Sequence, residues 1–154
     1  MAKTKKQYIN APFFERTAVI SKGQGSFPDQ VLVDSTHRFA GIAAAMETKT
    51  NKVAVVNGLA YPSNVNYQWG FESGVNYANA KFGTKAEIVE LPSYAGTDVT
   101  GKNVGGNYIG GFADEVTGKV VGKALIDKGV DIIFVAAGAS GNGVFTAIKE
   151  ANGV

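Results

Sequence analysis

Three places in the sequence bring small and polar residues together in the way that holds a ligand. Asn57 and Gly58 close the run "KVAVVNG", Tyr94, Gly96 and Asp98 lie in "PSYAGTD", and Gly138, Ala139, Ser140, Gly141 and Asn142 lie in "GASGNG". Glycines let a ligand approach the backbone. A helix that opens straight after such a turn offers N–H groups and the positive end of its dipole. The chemistry on offer is therefore binding, with a backbone cradle for a polar or anionic group. The same residues also read as an ordinary tight strand-to-helix turn with an Asn or Ser cap. Neither nucleotide motif is completed. Val144 and Phe145 follow Gly143 where a P-loop needs Lys and then Ser or Thr, and glycines at 138, 141 and 143 miss the G-x-G-x-x-G spacing.

Catalytic groups do not assemble. The chain has no cysteine and one histidine, His37, which removes disulfides, thiol nucleophiles and histidine-rich metal sites. Asp34, Ser35 and His37 stand together in "DSTHRF", but neighbours in sequence rarely form a triad, and a surface or capping role suits His37 better. Asp114 and Glu115 fall in the first turn of a helix, where the dipole favours carboxylates in any case. Tyr61, Tyr67 and Trp69 offer rings for stacking, and equally for core or rim packing. With no nucleophile, base and oxyanion hole in view, the reading is non-enzymatic, with no cofactor and no metal.

The elements that must position these turns alternate. "KVAVVNG" is a buried β-branched strand. A helix follows, capped by Ser63 or Asn64, with Phe71, Val75, Ala78 and Phe82 on one face and Gly83 as its stop. "AEIVEL" is a second strand. After the glycine-rich stretch "PSYAGTDVTGKNVGGNYIGG", a helix runs from about Phe112 to Lys128 with Phe112, Val116, Val120 and Ala124 as its stripe, closed by Gly129. "VDIIFVAAG" is a third strand. The last helix, starting near Asn142, carries Val144, Ala147, Ile148 and Ala151 inward. Upstream, "STHRFAGIAAAMETKT" reads as a helix capped by Asp34 or Ser35, with Phe39, Ala43 and Met46 in phase. "TAVIS" and "QVLVDS" read as extra strands within an N-terminal segment, residues 1–34, and the first dozen residues show no pattern. Strand–helix repeats of this kind require parallel strands and right-handed crossovers. The expected fold is a doubly wound α/β lobe, residues 35–154, in three layers around a short, mostly parallel sheet.

Composition sets outer bounds. A chain of 154 residues with 45% apolar and 18% charged residues fits one globular domain. A net charge of +2, much of it in "MAKTKK", gives no case for nucleic acid. No apolar run reaches the ~20 residues of a membrane helix, and no signal-type apolar core follows the basic start.

"TKTNKVAVVNG", "YQWGFESGVNYAN" and "LIDKGVDIIFVAAGASGNGVFTAIKE" resemble, in this order and spacing, the basic membrane protein family of bacterial lipoproteins. These are purine-nucleoside receptors that act as substrate-binding components of ABC transporters. The resemblance runs from about Phe39 to Gly153 and is most specific from Ala124 to Glu150. It implies one lobe of a two-lobed, periplasmic-binding-protein-like (flavodoxin-like) receptor that closes on a nucleoside. It places Gly58 after the lobe's first strand, Tyr94, Gly96 and Asp98 after the second, and Gly138 to Asn142 after the third, facing the ligand. The family's lipoprotein signal, N-terminal lobe and final aspartate-ending strand have no counterpart here, and the connection from Thr97 to Gly111 is longer than the family's.

The resemblance further implies an extracytoplasmic, lipid-anchored parent partnered with a transporter permease. The single lobe is expected to hold a purine nucleoside weakly or not at all. An unpaired third strand predicts a homodimer, strand exchange, or cover by "TAVIS" and "QVLVDS". Two other functions fit the residues alone: a free-standing Rossmann-like or flavodoxin-like domain binding a phosphate-bearing ligand at 138–143, and a non-binding surface interaction protein.

Overall fold

The strand expected from "KVAVVNG" is the hub of the fold. The computed structural model describes residues 28–152, with side chains from His37 on. Helix α1 (Pro28–Glu47) leads into β1 (Lys52–Asn57), followed by α2 (Pro62–Phe82) and β2 (Glu87–Ile88). A 3-10 turn (Pro92–Tyr94) and the hairpin β3 (Gly96–Thr97) and β4 (Asn103–Gly105) come next. Then follow β5 (Asn107–Tyr108), α3 (Glu115–Asp127), β6 (Ile132–Ala136) and α4 (Ser140–Ala151).

On one flank β1 pairs with β6 along Val53–Asn57. On the other it pairs first with β2, at Lys52 and Val53, then with β5, at Val56 and Asn57, and all three ladders are parallel. The ladder breaks between β2 and β5 at Leu91, whose N–H, next in line after those of Glu87 and Val89, is taken by the Asn107 side chain instead of Val55 O. Asn107 closes the gap. Its side-chain amide donates to Val55 O (2.9 Å) and Val89 O (3.1 Å), and its Oδ1 accepts from Leu91 N (2.8 Å).

Alternation along β1 builds the two cores. Val53 and Val55 turn toward Phe71, Val75, Ala78, Ala44 and Ala45 of α2 and α1. Ala54 and Val56 turn toward Val121, Leu125 and Val144 of α3 and α4. A helix pair therefore covers each face, giving a doubly wound three-layer α/β lobe. Within each pair the backbones nearly touch. A Cβ on Gly41 or Gly74 would land on the carbonyl of Phe71 or Arg38, and one on Gly118 or Gly143 on that of Ser140 or Glu115.

Several details differ from the sequence reading. "QVLVDS" lies inside α1, so Asp34 and Ser35 are mid-helix rather than caps; "TAVIS" lies outside the described residues. Helix α2 starts at Pro62 with Tyr61 as N-cap, not at Ser63 or Asn64, because the fixed φ of proline suits the first helical position. Helix α3 starts at Glu115, where the Asp114 carboxylate accepts from Thr117 N (2.9 Å), and Phe112 precedes it. Its buried face is Gly118, Val121, Gly122 and Leu125, while Val116 and Val120 are 78% and 51% exposed. Glycines face inward there because α4 crosses too closely for a side chain. The same cause turns Gly41 of α1 inward and leaves Phe39, Ala43 and Met46 outside. Phe82 and Ala151 are also exposed, and α4 begins at Ser140 rather than near Asn142.

Candidate functional site

The carboxyl ends of β1, β5 and β6 converge, and the loops leaving them are strapped to one another. Beyond β1, Ile109 N donates to Asn57 O (2.9 Å) and Gly110 N to Gly58 O (2.8 Å), which carries the β5 strand past the end of the sheet. The chain then turns through Gly110, at φ 96°, a conformation that suits glycine, to Gly111 and Phe112. The Phe112 ring occupies the space that a Gly58 side chain would fill. It is 36% exposed, and the half-exposed Tyr61 ring lies 6.2 Å from it, centroid to centroid.

Ser140 locks this loop to the β6 turn. Its hydroxyl donates to Gly111 O (2.9 Å) and accepts from Asp114 N (2.8 Å), and its N–H donates to Phe112 O (3.1 Å). A fully buried Ser140 is therefore the joint between two loops. Gly138, at φ 55°, packs against Phe112, and Asn64 of the first turn of α2 donates to Ala136 O (3.2 Å). Asn57 points to the α1–α2 face at the end of β1. Its side chain is wholly buried, and both its Oδ1 and Nδ2 lack a hydrogen-bond partner. Leaving such a group unsatisfied costs ~1–3 kcal/mol, so the amide calls for a partner.

The residues singled out from sequence thus fall into two groups. Gly58, Gly138 and Ser140 meet around Phe112, and Asn57 precedes Gly58 with its side chain on the other face of β1. Ala139 is exposed beside them, Gly141 packs on Val135, and the exposed Asn142 donates to Glu115 Oε1 (3.0 Å). Tyr94, Gly96 and Asp98 belong to the β2–β5 flank, where Gly96 lies under the Tyr108 ring. Asp98 is held in its own hairpin by Thr100 Oγ1 (2.6 Å), Thr100 N (2.8 Å) and Lys102 N (3.0 Å). The hydrogen bond from the Thr100 hydroxyl, followed by that from Lys102 N, holds its carboxyl below the usual value. Tyr108 donates to Gln68 Oε1 (2.7 Å); burial, with the charges of Glu72 and Glu90, pushes its phenol well above the ordinary range.

Of the aromatic residues read as stacking candidates, only Tyr61 reaches the strand ends. Tyr67 stacks on His37 (4.1 Å), and Trp69 packs near Ala60, Val65 and Tyr108. Phe112, expected in the helix stripe, instead lies in the loop before α3. The doublet Gly110-Gly111 just before it, a poor start for a helix, was the available signal. The turn at 138–142 also uses its own donors: Ser140 N serves Phe112 O, Gly141 N serves Gly138 O, and Asn142 N serves Ala139 O. No group of three or more metal-ligating side chains occurs among the described residues.

With this geometry in place, comparison with known proteins decides the family. A family model described as Bmp, ABC transporter substrate-binding protein PnrA-like, matches residues 36–93 and 100–153. The chain belongs to the Bmp family. Among curated relatives of this Bmp-family chain, the ABC transporter nucleoside-binding protein BmpA of Lactococcus lactis is 27% identical over 86% of the chain and 32% of its own length. Basic membrane protein D of Borreliella burgdorferi is 32% identical over 72% of the chain and 27% of its own length. The CD4+ T-cell-stimulating antigen of Listeria monocytogenes is 34% identical over 71% and 25%. A solute-binding protein of an Aeropyrum pernix ABC transporter system shares the fold at a TM-score of 0.61, with 27% identity, over 79% of this chain and 31% of that one. The Bmp-family chain thus spans about a third or less of each of these relatives. Among the described residues, no helix is long and apolar enough to cross a membrane.

Proposed function

We propose that this chain forms one wall of a nucleoside-binding cleft in an ABC transporter substrate-binding protein, and that it acts by binding rather than catalysis. The observation that carries this reading is the buried, unpartnered Asn57 amide at the strand ends, below loops that present the Phe112 and Tyr61 rings. An aromatic pair suits a flat base, and an amide that can both donate and accept suits a ribose or a base edge. Gly58, Gly138 and Ala139 would let the ligand approach the backbone, with Ser140 setting the spacing of the two loops. The nucleoside-binding name of the Lactococcus relative supports this substrate class. Tyr94, Gly96, Asp98, Gly141 and Asn142 stand further out in this proposal, since their contacts run to Tyr108, Val135, Glu115 and the hairpin.

A single wall, residues 35–154, makes only part of a cleft. Each net hydrogen bond contributes ~0.5–1.5 kcal/mol, so affinity for a nucleoside should be weak unless a second lobe or a second copy completes the site. The complete receptor would sit outside the cytoplasm, anchored to the membrane by a lipid, and hand its ligand to a permease. A phosphate-bearing ligand at 138–143 is the weaker reading, because three of the N–H groups in that turn are already engaged.

Calorimetry of the chain against guanosine, adenosine and AMP, with its mass measured in the same buffer, tests the proposal. Heat with the nucleosides that is lost in Phe112→Ala supports it. Preference for AMP, or nucleoside binding unchanged in Phe112→Ala, overturns it.

A further inference from the structure

The notch between the loops that leave β1 and β6 is filled by one of the chain's own side chains. The edge of the Phe112 ring lies between two glycines. A Cβ on Gly58 would fall on its Cδ1 and Cε1, and one on Gly138 would lie 3.4 Å from its Cβ and 3.7 Å from its Cδ1. These are two of the positions at which the proposed nucleoside would approach the backbone, so the ring covers the floor that the ligand needs. Its placement against Tyr61 does not suit a sandwich either. A flat base between two parallel rings needs about 7 Å, two contacts of about 3.5 Å each. Here the centroids are 6.2 Å apart and the planes are tilted by 34°.

We propose that Phe112 is a latch on this site: its ring rests on Gly58 and Gly138 until a nucleoside displaces it, and then swings out to form one side of the stack. The latch rests on the nucleoside reading above and adds how that site opens. The movement belongs to the side chain, because the backbone on both sides of it is fixed. Ser140 donates from its hydroxyl to Gly111 O (2.9 Å) and from its N–H to Phe112 O (3.1 Å), and it accepts from Asp114 N (2.8 Å). Rotation about the Cα–Cβ bond of Phe112 stays free to reach another staggered well. Room is available. The ring is 36% exposed, and apart from chain neighbours no atom lies within 4 Å of where a side chain on Gly110 or Gly111 would begin. A closed latch lowers the apparent affinity in proportion to the fraction of molecules in which the ring stands out of the notch.

Nuclear Overhauser effects from the Phe112 ring protons to the α protons of Gly58 and Gly138 test the latch without any variant. They should be present in the chain alone. They should disappear in excess adenosine or guanosine, as contacts from the ring to the base protons take their place. A variant then opens the latch by force. Gly58 does not have a positive φ, so its backbone accepts alanine, and the added methyl group takes the place of the ring edge. Gly58→Ala should therefore lose the contacts between Phe112 and Gly138 with no nucleoside present. Three results overturn the latch alone: no contact of the ring with Gly58 or Gly138 in the chain alone, contacts that persist while calorimetry shows nucleoside heat, or Gly138 contacts kept in Gly58→Ala. No heat with either nucleoside overturns the nucleoside reading itself, and the latch with it.

Discussion

Asn107 shows how much one buried side chain does in this sheet. It supplies hydrogen bonds to three backbone groups where the partner strand of β1 is interrupted, two as donor and one as acceptor. Asn107→Ala should strand Val55 O, Val89 O and Leu91 N together and lower stability by ~2–4 kcal/mol, read as a reduced urea midpoint at unchanged slope. A loss under 1 kcal/mol would show that water replaces the amide. Asn57 is the opposite case: equally buried, but without partners. Replacing an unsatisfied amide by an apolar group of similar size removes a penalty, so Asn57→Leu should leave the chain as stable or stabilise it by ~1 kcal/mol while weakening nucleoside binding. A stability loss above 2 kcal/mol would make Asn57 a structural residue. The sequence shows both asparagines, yet their roles come from tertiary neighbours: one lies among broken ladder groups, the other at the end of a strand that runs out of them.

At the scale of elements, the helix pairs depend on glycine. A Cβ at Gly143 would fall on the Glu115 carbonyl and lie 2.5 Å from Lys119 N, both backbone atoms that cannot turn aside. Gly143→Ala should therefore force α3 and α4 apart and cost ~2–4 kcal/mol, although alanine normally favours a helix by ~1 kcal/mol. Gly83, the C-cap of α2, at φ 71° with nothing near it, isolates the backbone effect: alanine there costs only left-handed strain, ~1 kcal/mol. Equal losses at the two sites, compared by thermal melts, would refute the packing argument. These glycines also explain what could be read from sequence. Where leucine-like bulk faces the core, as at Phe71, Val75 and Ala78, the apolar stripe found the buried face directly. In α3 the core side is Gly118 and Gly122, which carry no hydropathy signal, so the stripe settled on Val116 and Val120 facing out. The strands β1, β2 and β6 and the four helices, in their order along the chain, were legible in alternation and glycine placement, and so were the turns at 57–58 and 138–142 as the chain's exits from β1 and β6. Phe112 was not, because its position depends on where α3 starts.

For the whole molecule, one carboxylate ties the two sides of the sheet at its amino end. Asp131, just before β6, accepts from Thr48 Oγ1 (2.5 Å), Lys49 N (2.6 Å) and Thr50 N (3.1 Å) in the link from α1 to β1. Burial pulls its pKa upward, but the hydrogen bonds from Thr48, Lys49 and Thr50 outweigh that and hold it below 3.8. Its folded pKa is thus lower than its unfolded one, so it stabilises the fold above the unfolded value and ceases to do so as pH falls through the folded one. Because the group is exposed, solvent screening limits its worth to about 1 kcal/mol. Asp98 and Asp114 are shifted the same way by hydrogen bonds from Thr100 and Thr117, and add to the slope. Stability of the wild type should therefore be level near neutrality and fall as the pH drops below about 4. Asp131→Asn should start lower at pH 7 and show a shallower fall, so that the two curves converge in acid. Parallel curves, measured by urea unfolding from pH 7 to pH 2.5, would mean that the acid limb belongs to other carboxylates, and that the corner joining α1, β1 and β6 is held by packing instead.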